Sequence, residues 1–284
     1  MTALHAPYTT MHSALFPPTS RRQQGVTLIE LLVGIAIGLL VVAVAMGALM
    51  ASRGISGTVS EATSLQQEAA YAFRVMGQQI RQAGSIKLDL NPEITNAAAT
   101  GSIDFTMIPV AFDAPDTTDQ RESFDRATQT LTGDNTPSFT VGYQNYTEKT
   151  TTSEAAYLLR DCLGENASTR VLTNKFQRNA KNELVCTGAG NSSAQPIIGN
   201  VTDMRVRYVQ QETITNNLKY HTTPPGNWPS IYAVEVCLEL TGTEVIPTND
   251  AKYINCNGDE TSYGDHLKMV FRNLYQIRSQ GQKT

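Results

Sequence analysis

The residues best suited to do chemistry stand at the start of the one long apolar stretch of this chain. Gly25 precedes 25 predominantly apolar residues, 26–50, whose single charge is Glu30. A secretory signal peptide is cut after its apolar region. Here the small residue comes first, so cleavage after Gly25 would leave a new amine at Val26 on the apolar segment. A carboxylate central in a membrane helix costs about 2.5–3.5 kcal/mol on translocon scales. A neighbouring chain's freed amine would compensate Glu30.

No other group of residues forms a catalytic pattern. The sequence has no Gly-x-Ser-x-Gly elbow, no His-Glu-x-x-His and no phosphate-binding loop. His221 and His266, the two histidines outside the leader, are far apart in sequence. His221 lies among threonines and prolines, which indicates a solvated loop residue and not a general base. We therefore expect no enzyme and no cofactor.

One oxygen-rich segment near the C-terminus could bind a hard cation. Asn255, Asn257 and Asp259 are followed by Glu260 and Asp265. Calcium takes six to eight oxygen ligands, but the spacing does not match the twelve-residue EF-hand loop. A polar surface turn explains the same residues. We expect no metal, and the first three residues are the weak candidate ligands.

The four cysteines all follow the apolar stretch. An even number in an oxidising compartment favours disulfides, for which three pairings are open. We favour Cys162–Cys186 and Cys237–Cys256, because each pair is close in sequence and flanks a polar, turn-rich segment. Each loop of about 20 residues would add ~3 kcal/mol in the chain-entropy model. A four-thiolate metal site is disfavoured, since no Cys-x-x-Cys spacing occurs.

A membrane helix has to position Gly25, Val26 and Glu30. At ~1.5 Å per residue, residues 26–50 form a helix of roughly 37 Å, enough to cross a hydrocarbon core of about 30 Å. Arg21 and Arg22 precede it, and no lysine or arginine follows before Arg53. The positive-inside rule therefore predicts a cytoplasmic N-terminus and places the rest of the chain outside the cytoplasm.

An amphipathic helix continues beyond residue 50. Apolar residues recur at steps of three and four from Ile55 to Ala83, with polar residues between them, and Gly84 is a suitable stop. No turn signal separates the two stretches. The sequence predicts one helix over 26–83 whose outer half packs on a globular domain. Gly54 and Gly57 mark the expected place of bending or local melting.

The remainder, 84–284, reads as a β-rich globular domain. In residues 201–210, Val201, Met204, Val206 and Tyr208 share one face. A long helix packed on antiparallel strands is an α+β fold. Loops are expected at 112–136 and 211–229. The predicted strands are 103–111, 138–143, 156–160, 201–210, 231–240 and 267–277.

The charge balance disfavours one class of partner. The chain has 22 basic and 26 acidic side chains, and residues 1–25 hold two arginines and no acid. The remaining 259 residues therefore carry a net charge of −6. A nucleic-acid-binding protein needs a basic surface, so we expect no nucleic-acid partner.

The sequence GVTLIEL at residues 25–31 resembles the class III signal of type IV pilins and type II secretion pseudopilins. The resemblance implies a type IV pilin-like fold and a leader at 1–25. It also implies that prepilin peptidase cleaves after Gly25 and methylates Val26, and that Glu30 pairs with a neighbouring N-terminus during assembly. Most major pilins begin with phenylalanine, so valine favours a minor subunit. The alternative is a plain single-pass anchor whose Glu30 reaches the membrane interface.

Three further segments, at 66–84, 201–208 and 270–273, resemble the PilW-type minor pilins. This implies a subunit that primes a type IV pilus, with the major pilin, other minor pilins, an inner-membrane assembly platform and a PilY-type tip adhesin as partners. The implied location is the inner membrane, with the domain in the periplasm, and then the pilus near its tip. Two alternatives remain: a J-type minor pseudopilin of type II secretion, and a membrane-anchored adhesin or binding module.

Overall fold

The computed structural model describes residues 25–86, 124–134, 137–148, 150–153, 156–212, 217–246, 248, 250–278 and 280. The leader up to residue 24, the predicted strand 103–111 and residues 112–123 of the predicted loop lie outside this part. The chain divides into two compact units, one ending at Gly54 and one beginning at Ile55. Each unit is described separately below.

The described part of the first unit is an apolar helical segment. Helix α1 spans Leu28–Gln82 and is unbroken through Gly54 and Gly57. Every residue from 25 to 50 is exposed. By length and composition, α1 is able to cross a membrane, and none of its apolar window is buried within the protein. The helix predicted over 26–83 is therefore present. It begins two residues later and ends one residue earlier than predicted.

Within its described residues, the second unit contains the outer part of α1, one short helix and thirteen strands. Helix α2 is Arg126–Gln129, and a 3₁₀ turn covers Trp228–Ser230. In chain order the strands are β1 Leu131–Thr132, β2 Ser138–Gln144, β3 Thr147–Glu148, β4 Ala156–Tyr157, β5 Val171–Arg178, β6 Leu184–Gly188, β7 Gln195–Ile198, β8 Val201–Gln211, β9 Leu218–His221, β10 Ile231–Val245, β11 Lys252–Ile254, β12 Glu260–Ser262 and β13 His266–Gln276.

These strands form two main antiparallel sheets. The first has the order β1-β2-β5-β6-β7 and the second the order β13-β10-β8-β9. Two small ladders, β3-β4 and β11-β12, stand apart from them. A long N-terminal helix followed by an antiparallel β-rich domain is the predicted α+β fold, which is confirmed.

One core joins the outer part of α1 to both sheets. The helix contributes one buried stripe, and the strands meet it with their inward-facing apolar residues. Tyr208 on β8 links the two sheets, since its hydroxyl donates to the Ser138 carbonyl on β2 at 3.1 Å. The helical stripe consists of Leu65, Ala69, Ala72, Met76, Ile80 and Ala83.

The stripe begins later than its sequence pattern indicates. Val59, expected on the buried face, is 60% exposed, whereas Glu61 is only 8% exposed. The reason is local: Glu61 accepts a hydrogen bond from the Glu244 backbone at 2.7 Å. The polar contact with β10 replaces the expected apolar one at this level of the helix.

The end of α1 agrees with its predicted stop. The helix ends at Gln82, and Gly84 has φ of 71°, the left-handed conformation that favours glycine after a helix. The Gly84 amide then donates to the Gly142 carbonyl of β2 at 2.8 Å. The helix stop therefore also fixes the chain onto the first sheet.

Strand β10 is the centre of the second sheet. It pairs with β8 on one side and β13 on the other, and Val236 on β10 is in register with Val206 on β8. Met204, Val206 and Tyr208 all lie in the core, so the predicted alternation of β8 is confirmed. Arg207, on the opposite face, pairs with Glu235 of β10.

Several elements differ from the sequence prediction. The predicted loops contain α2 and β1 in one case and β9 in the other. Strands β5, β6 and β7 lie in the region where no element was predicted. The predicted strand 156–160 is reduced to β4, followed by an isolated bridge from Arg160 to Asn166. Short or polar strands of this kind have little periodic signal and depend on their neighbours for pairing.

Candidate processing and assembly site

The bond between Gly25 and Val26 lies in exposed, non-helical chain. Residues 25–27 precede the first turn of α1, and all three are exposed. A side chain added at Gly25 would meet nothing within 4 Å. Exposed chain outside regular structure is the form in which a peptide bond is accessible to a peptidase.

Thr27 and Glu30 form a reciprocal cap on the first turn of α1. Glu30 Oε2 accepts from the Thr27 backbone at 3.0 Å and from the Thr27 hydroxyl at 2.9 Å. In return, the Glu30 amide donates to Thr27 Oγ1 at 3.3 Å. This is a capping box, which satisfies backbone donors that a helix start otherwise leaves free. Sequence reasoning missed Thr27, although its T-x-x-E spacing before an apolar run carries the signal.

The cap orients the Glu30 carboxylate toward the N-terminal end of the helix. A negative charge there interacts favourably with the helix dipole. The sequence has no lysine or arginine between Arg22 and Arg53, so the apolar stretch supplies no side-chain cation for Glu30. The carboxylate is therefore held in place next to the residue whose amine cleavage would free.

The geometry of this short segment coincides with a known sequence signal. A prokaryotic N-terminal methylation motif matches residues 20–46. Gly25, Val26 and Glu30 all lie inside the matched stretch. No curated protein sequence matches the chain.

A type IV-like pilin from Thermus thermophilus is similar in structure over 54% of this chain and 82% of its own, with 12% identity and a TM-score of 0.33. A TM-score this low does not establish that the two proteins share a fold. The chain therefore carries a prokaryotic N-terminal methylation motif ahead of an exposed apolar helix and an antiparallel β-rich domain.

Two disulfide bonds cross-link the β-rich domain. One joins Cys162 to Cys186 on β6, and the other joins Cys237 on β10 to Cys256 in the β11–β12 hairpin. This is the pairing that the sequence favoured. Their Cα atoms are 6.5 and 5.8 Å apart. Each bond ties a loop or hairpin to a strand of a main sheet, which limits the freedom of the unfolded chain.

The oxygen-rich segment forms the turn of that hairpin. Asn255 Oδ1 accepts from the backbone amides of Asn257 and Asp259, both at 2.9 Å. The Asn255 amide donates to the Asp259 carbonyl at 3.0 Å. These are turn-forming contacts, and they account for Asn255 without a cation. Within the described residues, no three His, Cys, Asp or Glu side chains are grouped to hold a metal.

The two histidines lie in different places. His221 is on β9, with Nε2 2.9 Å from Gln210 Oε1. His266 begins β13, with Nδ1 3.0 Å from the Glu244 carbonyl. Each ring contacts a neighbouring strand, and the structure does not bring the two together.

Two tyrosines, the buried Tyr143 and the partly buried Tyr275, attach the outer part of α1 to the sheets. The Tyr275 hydroxyl donates to the Phe73 carbonyl at 2.7 Å, and the Tyr143 hydroxyl lies 2.8 Å from Gln79 Oε1. A Cβ at Gly77 would lie 2.7 Å from the Tyr275 ring, so only glycine admits the ring there. Burial raises the pKa of both tyrosines to about 12.

Proposed function

We propose that this chain is a minor pilin of the PilW type, which primes a type IV pilus and becomes part of it. Prepilin peptidase would cleave between Gly25 and Val26 and methylate the new amine. The observation that carries the proposal is the methylation motif, which covers the exposed Gly25–Val26 bond and a capped Glu30 at the start of an exposed apolar helix. Residues 1–25 are then the leader.

Glu30 is the assembly charge in this proposal. A carboxylate near the start of a membrane helix is unfavourable until a cation pairs with it. The methylated Val26 amine of a neighbouring subunit supplies that cation and sets the axial register between the two helices. The apolar half of α1 then passes from lipid into a filament core, where other helices cover its side chains.

The remaining parts of the proposal concern place and partners. The positive-inside pattern puts the N-terminus in the cytoplasm and the β-rich domain in the periplasm. Prepilin peptidase and an inner-membrane assembly platform act on the chain at the inner membrane. Other minor pilins and the major pilin then contact the domain laterally, near the tip of the pilus and beneath a PilY-type adhesin.

The deciding experiment compares the membrane-extracted chain from cells with and without prepilin peptidase. Intact-mass and N-terminal analysis should find a mature chain that begins at methylated Val26 only when the peptidase is present. A chain that stays uncut, or one that is cut after residue 50, would overturn the proposal. It would place the protein among anchored or secreted binding modules and adhesins.

Deletion of the gene for this chain distinguishes a role in a type IV pilus from a role in type II secretion. Loss of surface pili and twitching motility is expected for a type IV minor pilin. Loss of exoprotein secretion with pili intact would instead assign the chain to type II secretion as a minor pseudopilin. The sheared pilus fraction of the wild type should contain the mature chain.

A further inference from the structure

A groove with an acidic lining lies beside the outer part of α1, wholly within the second unit. It has a volume of about 400 Å³ and is bounded by one face of the helix and the end of β10. Among the described residues, none of those that line it carries a positive charge. We refer to it as the acidic groove. Its lining includes Gly57, Ser60, Glu61, Ser64, Glu68 and Glu244.

Glu61 is fixed in this groove through one of its two oxygens. Oε1 accepts from the Glu244 amide at 2.7 Å and from the Thr243 hydroxyl at 3.4 Å. A Cβ at Gly242 would lie 2.3 Å from Glu61 Cδ, so the carboxylate packs on β10 where only glycine leaves room. Only 8% of the Glu61 surface is exposed. The position of this carboxylate is therefore set by the strand.

The second oxygen of Glu61 lacks a donor. Glu61 Oε2 is buried and has no hydrogen-bond partner within the described residues. The helix supplies no cation nearby, since no lysine or arginine occurs between Arg53 and Arg74, and the Arg74 guanidinium lies 5.6 Å from the centre of the Tyr71 ring. A buried carboxylate oxygen without a donor is unfavourable. An oxygen of this kind, lining an open groove, is a site for a donor from another molecule.

Glu68 adds negative charge at the other end of the groove. Its Oε2 also has no partner within the described residues, and its Oε1 makes one long contact, 3.5 Å from Ser64 Oγ. Glu61 and Glu68 are seven residues apart, which separates their Cα atoms by about 10 Å along the helix. Glu68 therefore makes the groove more attractive to a cation that binds at Glu61, without sharing the same hydrogen bond.

The single free oxygen of Glu61 selects the kind of cation. Calcium takes about six to eight oxygen ligands and magnesium a near-octahedral set, and no three acidic, histidine or cysteine side chains are grouped within the described residues. An arginine binds best when its fork meets both oxygens of a carboxylate, but Oε1 already accepts from the Glu244 amide. A lysine ammonium is a compact charge on a flexible stem and needs only one acceptor. Glu61 Oε2 therefore fits a lysine.

The face of α1 at the groove allows a second helix to approach. Gly57, Ser60 and Ser64 all line the groove and are exposed, and a side chain added at Gly57 would meet nothing within 4 Å. Small residues spaced by three and four positions let two helix backbones lie close together. A lysine carried on a neighbouring helix is thus able to reach Glu61 from this side.

The composition of α1 shows that such a lysine belongs to a different protein. Helix α1 contains no lysine, and its residues 54–73 hold two glutamates and no basic residue. The helix of a second copy would therefore bring like charge to the groove. In the proposed function, on which this step rests, other pilin subunits are the neighbours. We propose that the acidic groove receives a lysine from the helix of a different pilin subunit, whose ammonium donates to Glu61 Oε2.

Two substitutions test this contact in different ways. Glu61→Gln keeps an acceptor for the Glu244 amide and removes the charge, whereas Gly57→Leu leaves Glu61 intact and obstructs the groove. The recovery of each variant in sheared pili should fall about tenfold, as expected for a lost charged hydrogen bond. Their thermal unfolding midpoints should stay the same or rise, since Gly57→Leu also increases helix propensity. Normal recovery of both variants would overturn the proposal.

Matched controls separate the contact from folding and from helix flexibility. Glu148→Gln, at an exposed position on β3, should change neither recovery nor the midpoint. Gly54→Leu removes a glycine that also has nothing within 4 Å but does not line the groove, and its recovery should stay within about twofold of the wild type. An equal loss in Gly54→Leu and Gly57→Leu would overturn the proposal. If Glu61→Gln lowers the midpoint, Gly57→Leu decides, because it alters no contact of Glu61.

Zero-length cross-linking identifies the donor. Sheared pili are treated with a carbodiimide, which joins a carboxylate to an amine in contact with it, and the linked peptides are sequenced by mass spectrometry. Glu61 should be linked to a lysine on the helix of a different chain that has its own N-terminal methylation motif, and the link should be absent in Glu61→Gln. Links from Glu61 only to lysines of this chain, or to a protein without that motif, contradict the proposal. So do links from exposed carboxylates such as Glu148 with none from Glu61.

The same pili distinguish this inference from the proposed function. If the wild type begins at methylated Val26 and enters pili while Glu61→Gln and Gly57→Leu enter equally well, the groove contact is wrong and the pilin assignment stands. If the wild type is never processed, the pilin assignment fails. The mass of the wild-type chain shows that failure without reference to Glu61.

Discussion

The two halves of helix α1 share one secondary structure and differ in what surrounds them. In the segment up to Gly54 every described side chain is exposed, and Leu40 is 65% exposed. In the segment from Ile55, Leu65 is 1% exposed and Met76 is fully buried. The outer half is therefore stabilised by the chain's own sheets, whereas the apolar half needs lipid or other helices to cover it.

Each half also holds one glutamate through a backbone contact. Glu30 caps the start of the helix through Oε2, and Glu61 contacts β10 through Oε1. Glu30 is exposed, while Glu61 is buried with its other oxygen unpartnered within the described residues. The same residue type is thus held by a backbone amide in both halves, at an exposed position in one and at a buried position in the other.

The largest expected effect comes from the charge in the apolar half. Glu30→Gln should reduce recovery in sheared pili by about tenfold or more, because glutamine keeps the capping contact but carries no charge for a neighbouring amine. Thr27→Val is the matched variant: it removes the hydroxyl and keeps the charge, so most of the recovery should remain. Equal losses in the two variants would show that the cap, and not the charge, is what assembly requires.

A matched pair of leucines tests the difference in packing. Leu65→Ala should lower the free energy of unfolding of the β-rich domain by about 2–5 kcal/mol, because it leaves a cavity in the core. Leu40→Ala, at an exposed position in the apolar half, should change that free energy by less than about 0.5 kcal/mol. Urea unfolding of the detergent-solubilised chain, followed by tryptophan fluorescence, measures both. A comparable loss in Leu40→Ala would mean that the apolar half also packs on the domain.

The smallest effect concerns the tyrosines that hold the outer half of α1. The pKa of Tyr143 and Tyr275 is raised by burial from 10.0 to about 12, so the folded state keeps protons that the unfolded state releases. Stability is therefore complete below pH 10 and should decline as the pH rises from 10.0 toward about 12. Urea midpoints at several alkaline pH values measure the decline. The decline should become shallower in the Tyr143→Phe, Tyr275→Phe double variant. A part of it should remain, because burial also raises the pKa of Tyr208 and Tyr253. An unchanged slope would exclude the hydroxyls of Tyr143 and Tyr275 as a cause.

Much of the fold was predictable because its signals are local. The apolar run, the three-and-four spacing after it and Gly84 together predict α1, whose stop is confirmed. Strands β2, β8, β10 and β13 were predicted close to their observed bounds, since each is long and rich in apolar or β-branched residues. Strands β5, β6 and β7 were not, because polar residues interrupt them and their pairing depends on distant partners.

The candidate site also contains residues that the sequence identified and residues that it did not. Gly25, Val26 and Glu30 were found from seven consecutive residues, and their roles in processing and assembly remain predictions. Thr27 was overlooked although its capping spacing is visible in the sequence. The burial of Glu61 could not be predicted from the sequence, because a glutamate in an amphipathic helix is ordinarily assigned to the solvent face.

The sequence by itself therefore determined the apolar helix, its outer amphipathic continuation, the methylation motif and the favoured disulfide pairing. All of these follow from neighbouring residues or short separations. Only the tertiary structure decided that Glu61 is buried against Gly242, that Tyr275 lies on Gly77, and that one core joins α1 to both sheets. The first two contacts join residues well over a hundred positions apart, and local periodicity carries no information about which distant backbone will approach a given side chain.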